Sequence, residues 1–295
     1  MKFSKILFFS LGLFFAGFWY LWPSNISKIV TITSFNAAPE LVSPPMKDSA
    51  TLLYIFDVDE TLITYKDLLL REDNRESSEG KKLQSYFNEN CKKPNDAAYG
   101  QYIWSQIFLQ AHKILIEPEV KNIIARLQKQ GVFVIGLTRL LTGKFGSIPR
   151  LEDWRYAQLV SFDIDFSKTS PLSNFVFKEL ESKEAKHPIL FKGILLTDHY
   201  SKKETLQRFL KEFKLVKGYL PKKIIYMDDT LSYLEEVQDL CKSLGIGFIG
   251  YHYLGSKSLP GKFNLELAKE QINHLLTQEA WISDAQAGEI LERTK

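Results

Sequence analysis

The stretch LLYIFDVDET, residues 52–61, decides the fold class and holds the first candidate functional residues. Five consecutive apolar residues predict a short buried strand, Leu52–Phe56. Ligands bind at the carboxyl ends of strands in parallel α/β sheets, so Asp57 and Asp59 follow this strand where a site is expected. Two carboxylates this close need a bound cation or a shared proton. A solvated turn or a helix cap is the structural alternative.

The chain beyond this stretch alternates short apolar runs with amphipathic helical patterns, which is typical of a parallel sheet covered by helices. Ser201 and Glu204 have the spacing of a capping box and predict a helix over residues 202–213. The predicted fold class is α/β. Four further strands are predicted at Val132–Leu137, Gly193–Leu196, Lys223–Met227 and Ile246–Tyr251.

Two long segments interrupt the alternation. Residues 62–118 are polar at first and then rich in aromatic residues, which predicts a mostly helical insertion after the first strand. Residues 139–190 form a second, less regular segment.

The first 22 residues have the layout of an export signal or a membrane anchor. Lys2 and Lys5 precede an apolar run from Ile6 to Trp22. As a helix this run would span about 25 Å, a length that leaves a cleaved signal peptide and a retained anchor both open. Either outcome predicts an exported protein that is periplasmic, secreted or anchored to the membrane. Residues 23–50 contain four prolines and are predicted to be a tether with one short β-prone piece.

The charge balance argues against a nucleic acid as partner. The chain has 38 Lys and Arg against 35 Asp and Glu, a net charge of +3, of which Lys2 and Lys5 contribute two. So small an excess does not predict binding to a polyanion. Cys91 and Cys241 have no metal-ligand spacing, so a zinc site is not expected, and a disulfide between them stays open.

The pattern D-x-D-x-T after an apolar strand resembles the first motif of the haloacid dehalogenase (HAD) superfamily of phosphatases and phosphotransferases. In that family the first Asp attacks phosphorus and the second is the general acid and base. The resemblance therefore implies that Asp57 is the nucleophile and Asp59 the acid/base. An aspartyl phosphate divides one difficult hydrolysis into two easier steps.

The later motifs of that family occur in the required order. Thr138 ends the second predicted strand, and Lys202 lies in the first turn of the predicted helix, so the resemblance implies that both bind phosphate. Lys203 is the alternative lysine, because the Gly that follows the lysine in the family is absent here.

The resemblance also implies a magnesium site. Asp228 and Asp229 follow the predicted strand that begins at Lys223. Asp57, Asp228 and the backbone carbonyl of Asp59 would provide hard oxygen ligands, and Asp229 would support them from outside the direct ligands.

Three longer tracts, VTITSFNAAPEL, EPEVKNIIARLQKQGVFVIGLTR and IIYMDDTLSYLEEV, resemble an uncharacterised bacterial family of exported HAD-like proteins, the DUF2608-like family. This resemblance covers residues 29–290. It implies a HAD-like Rossmannoid core made of residues 51–61 and 119–295, with residues 62–118 inserted as a cap.

The expected function is that of a magnesium-dependent phosphomonoester phosphatase acting on a small phosphorylated substrate outside the cytoplasm. The alternative is a catalytically inactive HAD-like scaffold that binds a ligand or a protein partner. Contact with a membrane is expected through the N-terminal segment if that segment is not cleaved.

Overall fold

The apolar runs and amphipathic patterns fold into one large sheet that is covered by helices. A computed structural model describes residues 26–42, 49–93, 95–180 and 186–293. The strands are β1 (Ser27–Ile32), β2 (Leu52–Phe56), β3 (Ile63–Tyr65), β4 (Lys113–Leu115), β5 (Phe133–Thr138), β6 (Phe175–Val176), β7 (Ile189–Phe191), β8 (Ile194–Leu196), β9 (Lys223–Asp228) and β10 (Gly247–Tyr253). The helices are α1 (Pro39–Val42), α2 (Glu72–Glu76), α3 (Ser78–Asn90), α4 (Ala97–Gln110), α5 (Val120–Lys129), α6 (Leu151–Val160), α7 (Lys202–Lys217), α8 (Leu231–Ser243), α9 (Leu265–Gln278) and α10 (Asp284–Arg293).

The main sheet is mostly parallel, as the sequence predicts. Its strand order is β1-β10-β9-β2-β5-β8-β7-β6, and every neighbouring pair from β1 to β8 is parallel. Strands β7 and β6 add an antiparallel extension at the far edge. In the centre, Phe56 of β2 lies beside Gly136 of β5 and Met227 of β9. The carboxyl ends of these three strands therefore meet at one edge of the sheet.

Strand β2 is buried on both faces, which is why it is an unbroken apolar run. Successive side chains point to opposite faces of a strand. Tyr54 and Phe56 enter the core that contains α5, and Leu53 and Ile55 enter the core that contains α7 and α8. The doubly covered sheet confirms the predicted α/β class.

The segment predicted as a tether contributes a strand to the sheet. Residues 27–32 form β1, which pairs in parallel with β10 and closes that edge of the sheet. The β-branched run from Ile29 to Ile32 favours this extended conformation. Phe35 follows the strand, is fully buried and stacks on Tyr253 with ring centroids 4.3 Å apart. Residues 27–42 therefore belong to the folded body, and the predicted tether is shorter than residues 23–50.

The insertion after β2 contains α2, α3 and α4, and the antiparallel pair β3 and β4 closes its base. Its apolar residues share a third core with α9 from the C-terminal region, to which Leu83, Ile107, Ile272 and Leu275 contribute. The sequence assigned all of residues 119–295 to the sheet-containing core. In the structure α9 instead completes the layer formed by the insertion, because the insertion alone leaves an apolar face uncovered.

A buried hydrogen-bond network holds the C-terminal segment to the insertion. The indole Nε1 of Trp281 donates to Asp67 Oδ2 at 2.8 Å, and the backbone N of Asp284 donates to Asp67 Oδ1 at 3.1 Å. In return, Asp284 Oδ2 accepts from the backbone N of Leu68 at 3.0 Å. These contacts fix the end of the chain against the start of the insertion.

Cys91 and Cys241 are both free thiols, so the structure contains no bridge between them. Cys91 packs at the third core and Cys241 at the core beneath α8, and these are different layers of the molecule.

The leader, residues 1–22, lies outside the described residues. Within the described ranges, no helix is long and apolar enough to cross a bilayer.

Replacing Phe35 with alanine tests whether residues 27–42 are part of the fold. We expect Phe35→Ala to lower the free energy of unfolding by about 3–5 kcal/mol, because it leaves a cavity beside Tyr253. Urea denaturation measures the change. Val42→Ala is the matched control: Val42 is exposed, and its change should stay within about 0.5 kcal/mol. Equal, small effects of both substitutions would mean that this segment is a free tether after all.

Candidate active site

The candidate site is built around a buried lysine that contacts two carboxylates. Asp57 directly follows β2, and its backbone N donates to Met227 O at 2.9 Å, which fixes the chain at the strand end. The Nζ of Lys202 lies 2.6 Å from Asp57 Oδ1 and 2.6 Å from Asp228 Oδ2. All three side chains are buried. Residues that are distant in the sequence thus meet at the carboxyl edge of the sheet.

Lys202 is the first residue of α7 and follows the N-cap Ser201. The predicted capping box is present, with the Ser201 hydroxyl accepting from Glu204 N and the Glu204 carboxylate accepting from Ser201 N. A cation at a helix N-terminus is disfavoured by the helix dipole unless anions lie nearby. Burial by itself would lower the pKa of Lys202, but Asp228 and Asp57 outweigh it and raise that pKa. Lys202 therefore stays charged, and Lys203 is absent from this contact.

Asp228 ends β9 and is held by three donors. Its Oδ2 accepts from Lys202 and from the hydroxyl of Tyr226, and its Oδ1 accepts from the backbone N of Thr230 at 2.9 Å. Tyr226 is fully buried two residues earlier on the same strand. Asp229 is half-buried; its carboxylate accepts a long contact, 3.5 Å, from the Thr230 hydroxyl, and its backbone carbonyl lies 3.0 Å from His252 Nε2. The two neighbouring carboxylates therefore differ sharply in how firmly they are oriented.

Asp57, Asp228 and Asp229 form an acidic cluster in which one carboxylate oxygen of each lies within 4.8 Å of the others. Burial, with Asp228 adding to it against the effect of Lys202, raises the pKa of Asp57 to about 7. Burial and the charges of Asp57 and Asp228 raise the pKa of Asp229 to about 9. Three carboxylates share one ammonium, and the raised pKa values mean that the cluster holds protons near neutral pH and gains negative charge as pH rises. Their hard oxygen atoms fit the ligand chemistry of Mg²⁺.

Asp59 is not a member of this cluster and pairs with two cations. Arg155 Nη2 lies 2.7 Å from Asp59 Oδ2, and Lys113 Nζ donates to Asp59 Oδ1. The two cationic side chains are only 2% and 5% exposed, whereas the Asp59 side chain is 40% exposed. Burial would raise the pKa of Asp59, but Arg155 and Lys113 outweigh it and hold that pKa well below its usual range. Asp59 is therefore an accessible, ionised carboxylate that contacts two buried cationic side chains on its protein side.

The two threonines of the predicted motifs are buried near the strand ends. Thr138 ends β5 two residues beyond Gly136, the partner of Phe56, and is 2% exposed. The hydroxyl of Thr61 is also buried, and within the described ranges it has no hydrogen-bond partner. Both hydroxyls thus lie in the strand-end region to which Asp57 belongs.

Three residues of the site were missed from the sequence: Lys113, Arg155 and Tyr226. Tyr226 precedes Asp228 by two residues, and this period-two spacing on a strand could have placed both side chains on one face. Lys113 lies on β4, at the end of the insertion, and Arg155 lies on α6, within the irregular segment. No local sequence pattern connects either residue to Asp59. Their ion pairs with Asp59 could therefore be identified only from the tertiary structure.

Comparison with known proteins identifies relatives along most of the chain. The family described as "Protein of unknown function (DUF2608)" matches residues 31–288. An uncharacterised protein of Rickettsia prowazekii is 28% identical over 272 residues, 92% of this chain and 93% of its own length. Proteins of Chlamydia trachomatis and Chlamydia pneumoniae, both named as putative outer membrane proteins, are each 25% identical over 88% and 82% of this chain, and over 88% and 85% of their own lengths. No solved structure matches.

The family match alone covers far more than half of the chain and includes each of Asp57, Asp59, Thr138, Lys202 and Asp228. The protein therefore belongs to the DUF2608 family.

Proposed function

We propose that the protein is a magnesium-dependent phosphatase of the HAD type that hydrolyses phosphomonoesters outside the cytoplasm. The observation that carries this proposal is the Lys202 ammonium, 2.6 Å from both Asp57 and Asp228 at adjacent strand ends. A buried lysine with a nucleophile candidate on one side and an acidic cluster on the other suits phosphoryl transfer, in which charge on oxygen must be neutralised.

In the proposed reaction, the Asp57 carboxylate attacks phosphorus, the ester bond breaks, and an aspartyl phosphate forms as the alkoxide leaves and takes a proton from water. Lys202 lies beside the nucleophile and would neutralise phosphate oxygens. The hydroxyl of Thr138 would donate to another phosphate oxygen. Water then hydrolyses the aspartyl phosphate and regenerates Asp57.

Asp59 would serve the second step more readily than the first. An acid must hold a proton to protonate a leaving alkoxide, and the ion pairs with Lys113 and Arg155 favour the ionised form of Asp59. An ionised, accessible carboxylate is suited to removing a proton from the attacking water. We therefore assign Asp59 chiefly to that role, with the two cations as positioning residues.

The acidic cluster would hold the magnesium ion. Asp57 and Asp228 would be direct ligands together with the backbone carbonyl of Asp59, and Asp229 would support them. When bound, the ion neutralises the charge on the carboxylates and the phosphate, so that one anion can approach another. The three donors that orient Asp228 support its assignment as the firmest ligand, since partners outside the metal shell fix the direction of a ligand.

We assign residues 62–118 to a cap that selects a small phosphorylated substrate. The insertion contributes Lys113, whose ammonium donates to the Asp59 carboxylate. The insertion and the core therefore meet at the candidate site. An exported location is supported by the sequence of residues 1–22 and by the names of the two chlamydial relatives.

A second candidate function is that of an inactive HAD-like scaffold that binds a ligand or protein partner. The observation that favours it is the pairing of Asp59 with two buried cations. These cations keep Asp59 ionised, so it has no proton to give to a leaving group. Release of phosphate from an aryl phosphate with added magnesium separates the two candidates, because a scaffold would release none.

Replacing Asp57 with asparagine tests the nucleophile. We expect phosphate release to fall by at least about 100-fold, because an amide cannot form the phosphoenzyme. Thermal stability should change little, because Asp228 still pairs with Lys202 and the lost ion pair is offset by reduced repulsion within the acidic cluster. Asp239→Asn, an exposed carboxylate on α8, is the control and should leave the rate unchanged. Residual activity above about a tenth of the wild-type rate would remove Asp57 from this role.

The metal assignment is tested by comparing Asp228→Asn with Asp229→Asn. We expect Asp228→Asn to raise the magnesium concentration needed for half-maximal activity far more, because it removes a direct, firmly oriented ligand. Loss of a supporting group outside the ligands typically costs about 10- to 100-fold in affinity or activity. Titration of activity with magnesium measures both variants. A larger effect of Asp229→Asn would exchange the roles of the two residues.

The acidic cluster also predicts how stability depends on pH. The pKa values of Asp57 and Asp229 are raised to about 7 and about 9, above the value near 3.9 in an unfolded chain. The folded protein then binds more protons, so without metal its free energy of unfolding falls as pH rises through this window. We expect the Tm in chelator to drop between about pH 5 and about pH 8.

Magnesium should reverse this loss, because it binds the ionised carboxylates. The rise in Tm on adding magnesium should be larger at about pH 8 than at about pH 5, as measured by calorimetry. An equal rise at both pH values would mean that the ion binds elsewhere.

A further inference from the structure

The end of α7 exposes apolar side chains beside lysines. Leu215 and Val216 are 69% and 64% exposed, more than any other large apolar side chain in the described part of the chain. A shallow groove next to them is lined by Lys211, Lys214 and Leu244. We call this region, residues 208–223 with Leu244, the basal surface. Isolated exposed apolar residues are ordinary, but two adjacent ones at a charged helix end form a surface that can contact an amphipathic partner.

The basal surface is strongly basic in a chain that is nearly neutral. Residues 208–223 contain six Lys and Arg and one Glu, a net charge of +5, whereas the whole chain carries +3. Within the described ranges, no carboxylate forms an ion pair with Lys211 or Lys214. Basic residues near a helix C-terminus complement the helix dipole, but this effect does not account for exposed Leu215 and Val216.

The basal surface lies at the amino edge of the sheet, opposite the candidate active site. Phe248 N donates to Ile26 O at 2.8 Å, and Gly247 N donates to Lys222 O at 2.9 Å. Strand β1 is therefore two strands away from β9, which is about 10 Å at the usual strand spacing. The chain enters the sheet at Ile26, close to the loop that ends at Lys222.

The sequence before Ile26 brings this edge near a membrane. The apolar run of the leader ends at Trp22, and four residue steps separate Trp22 from Ile26. Fully extended, these steps span at most about 14 Å. The distance is short because β1 begins at Ser27. A tether extending to residue 50 would have allowed the folded body to lie much farther from the leader. A leader held in a bilayer would keep Ile26 within about 14 Å of that bilayer, and the basal surface lies at the same edge of the sheet as Ile26.

We propose that the basal surface binds the anionic headgroups of the membrane that the N-terminal segment enters. Lys211 and Lys214 would contact lipid phosphates, and Leu215 and Val216 would enter the boundary between headgroups and acyl chains. The carboxyl edge of the sheet, with Asp57 and Asp228, would then face away from the lipid. This proposal concerns a surface remote from the catalytic residues and does not depend on phosphatase activity.

The test uses the full-length chain in nanodiscs, with a polarity-sensitive dye on Val216→Cys in a Cys91→Ser background. We expect the emission of the dye to shift to the blue in discs containing about 30% phosphatidylglycerol. The shift should be absent in discs of pure phosphatidylcholine, and added salt should reverse it. The same dye on Leu109→Cys, an exposed residue of the insertion, should show no shift.

A pair of charge variants identifies the residues responsible. Each lysine near an anionic surface strengthens binding about five-fold. The double variant Lys211→Gln with Lys214→Gln should therefore weaken binding of the basal surface to the anionic discs about 30-fold. The matched control, Lys82→Gln with Lys92→Gln, removes the same charge from exposed residues of the insertion and should have at most about a two-fold effect. Circular dichroism confirms that each variant is folded.

Three results would overturn the proposal. The first is a dye signal at residue 216 that is the same with and without phosphatidylglycerol. The second is an equal effect of the two double variants. The third is a shift that appears only when a soluble polyanion such as DNA is added, which would assign the basal surface to that class of partner.

Discussion

The structure depends on one buried ammonium, that of Lys202, shared by the carboxylates of Asp57 and Asp228. Each of these groups would be costly to bury alone, and removing one partner of a buried ion pair typically destabilises a protein by about 3–5 kcal/mol. Their burial therefore requires that β2 and β9 end, and α7 begins, within a few ångströms of one another. The parallel register of the sheet and the capping box at Ser201 meet this requirement, because the register aligns the ends of β2 and β9 and the capping box fixes the start of α7.

The two aspartates of the first motif lie in opposite electrostatic surroundings, although one residue separates them. Asp57 belongs to a cluster in which three carboxylates share one lysine, whereas Asp59 pairs with two cations of its own. The cations come from the insertion and from the irregular segment 139–190, the two parts of the chain that interrupt the alternation of strands and helices. The proposed metal ion would therefore bind on the Asp57 side of the motif, whereas Asp59 stays ionised next to Lys113 and Arg155.

The sequence predicted the central strands and the strand-end residues because both depend on local patterns. Unbroken apolar runs marked β2, β5 and β9, and parallel strands bring their polar successors to one edge, so Asp57, Thr138 and Asp228 could be placed together. The capping box predicted the start of α7 and hence the position of Lys202. The pairing of Arg155 with Asp59 and the packing of α9 on the insertion could not be predicted, since both join segments far apart in sequence. Strand β1 was underestimated because a short β-prone run beside several prolines carries a weak signal.

The pairing of β1 with β10 has a consequence for how the chain is made and moved. Strand β1 is among the first parts of the chain to leave the ribosome, but its partner β10 ends only at Tyr253. The insertion likewise needs Trp281 and Asp284, which are synthesised still later, to complete its contacts. Contacts between distant parts of a chain form slowly, and here they cannot form until synthesis is almost finished. The complete fold is therefore reached only when nearly the whole chain has been synthesised, and a chain that has not yet completed its fold is the form in which a polypeptide can pass through a narrow translocation channel.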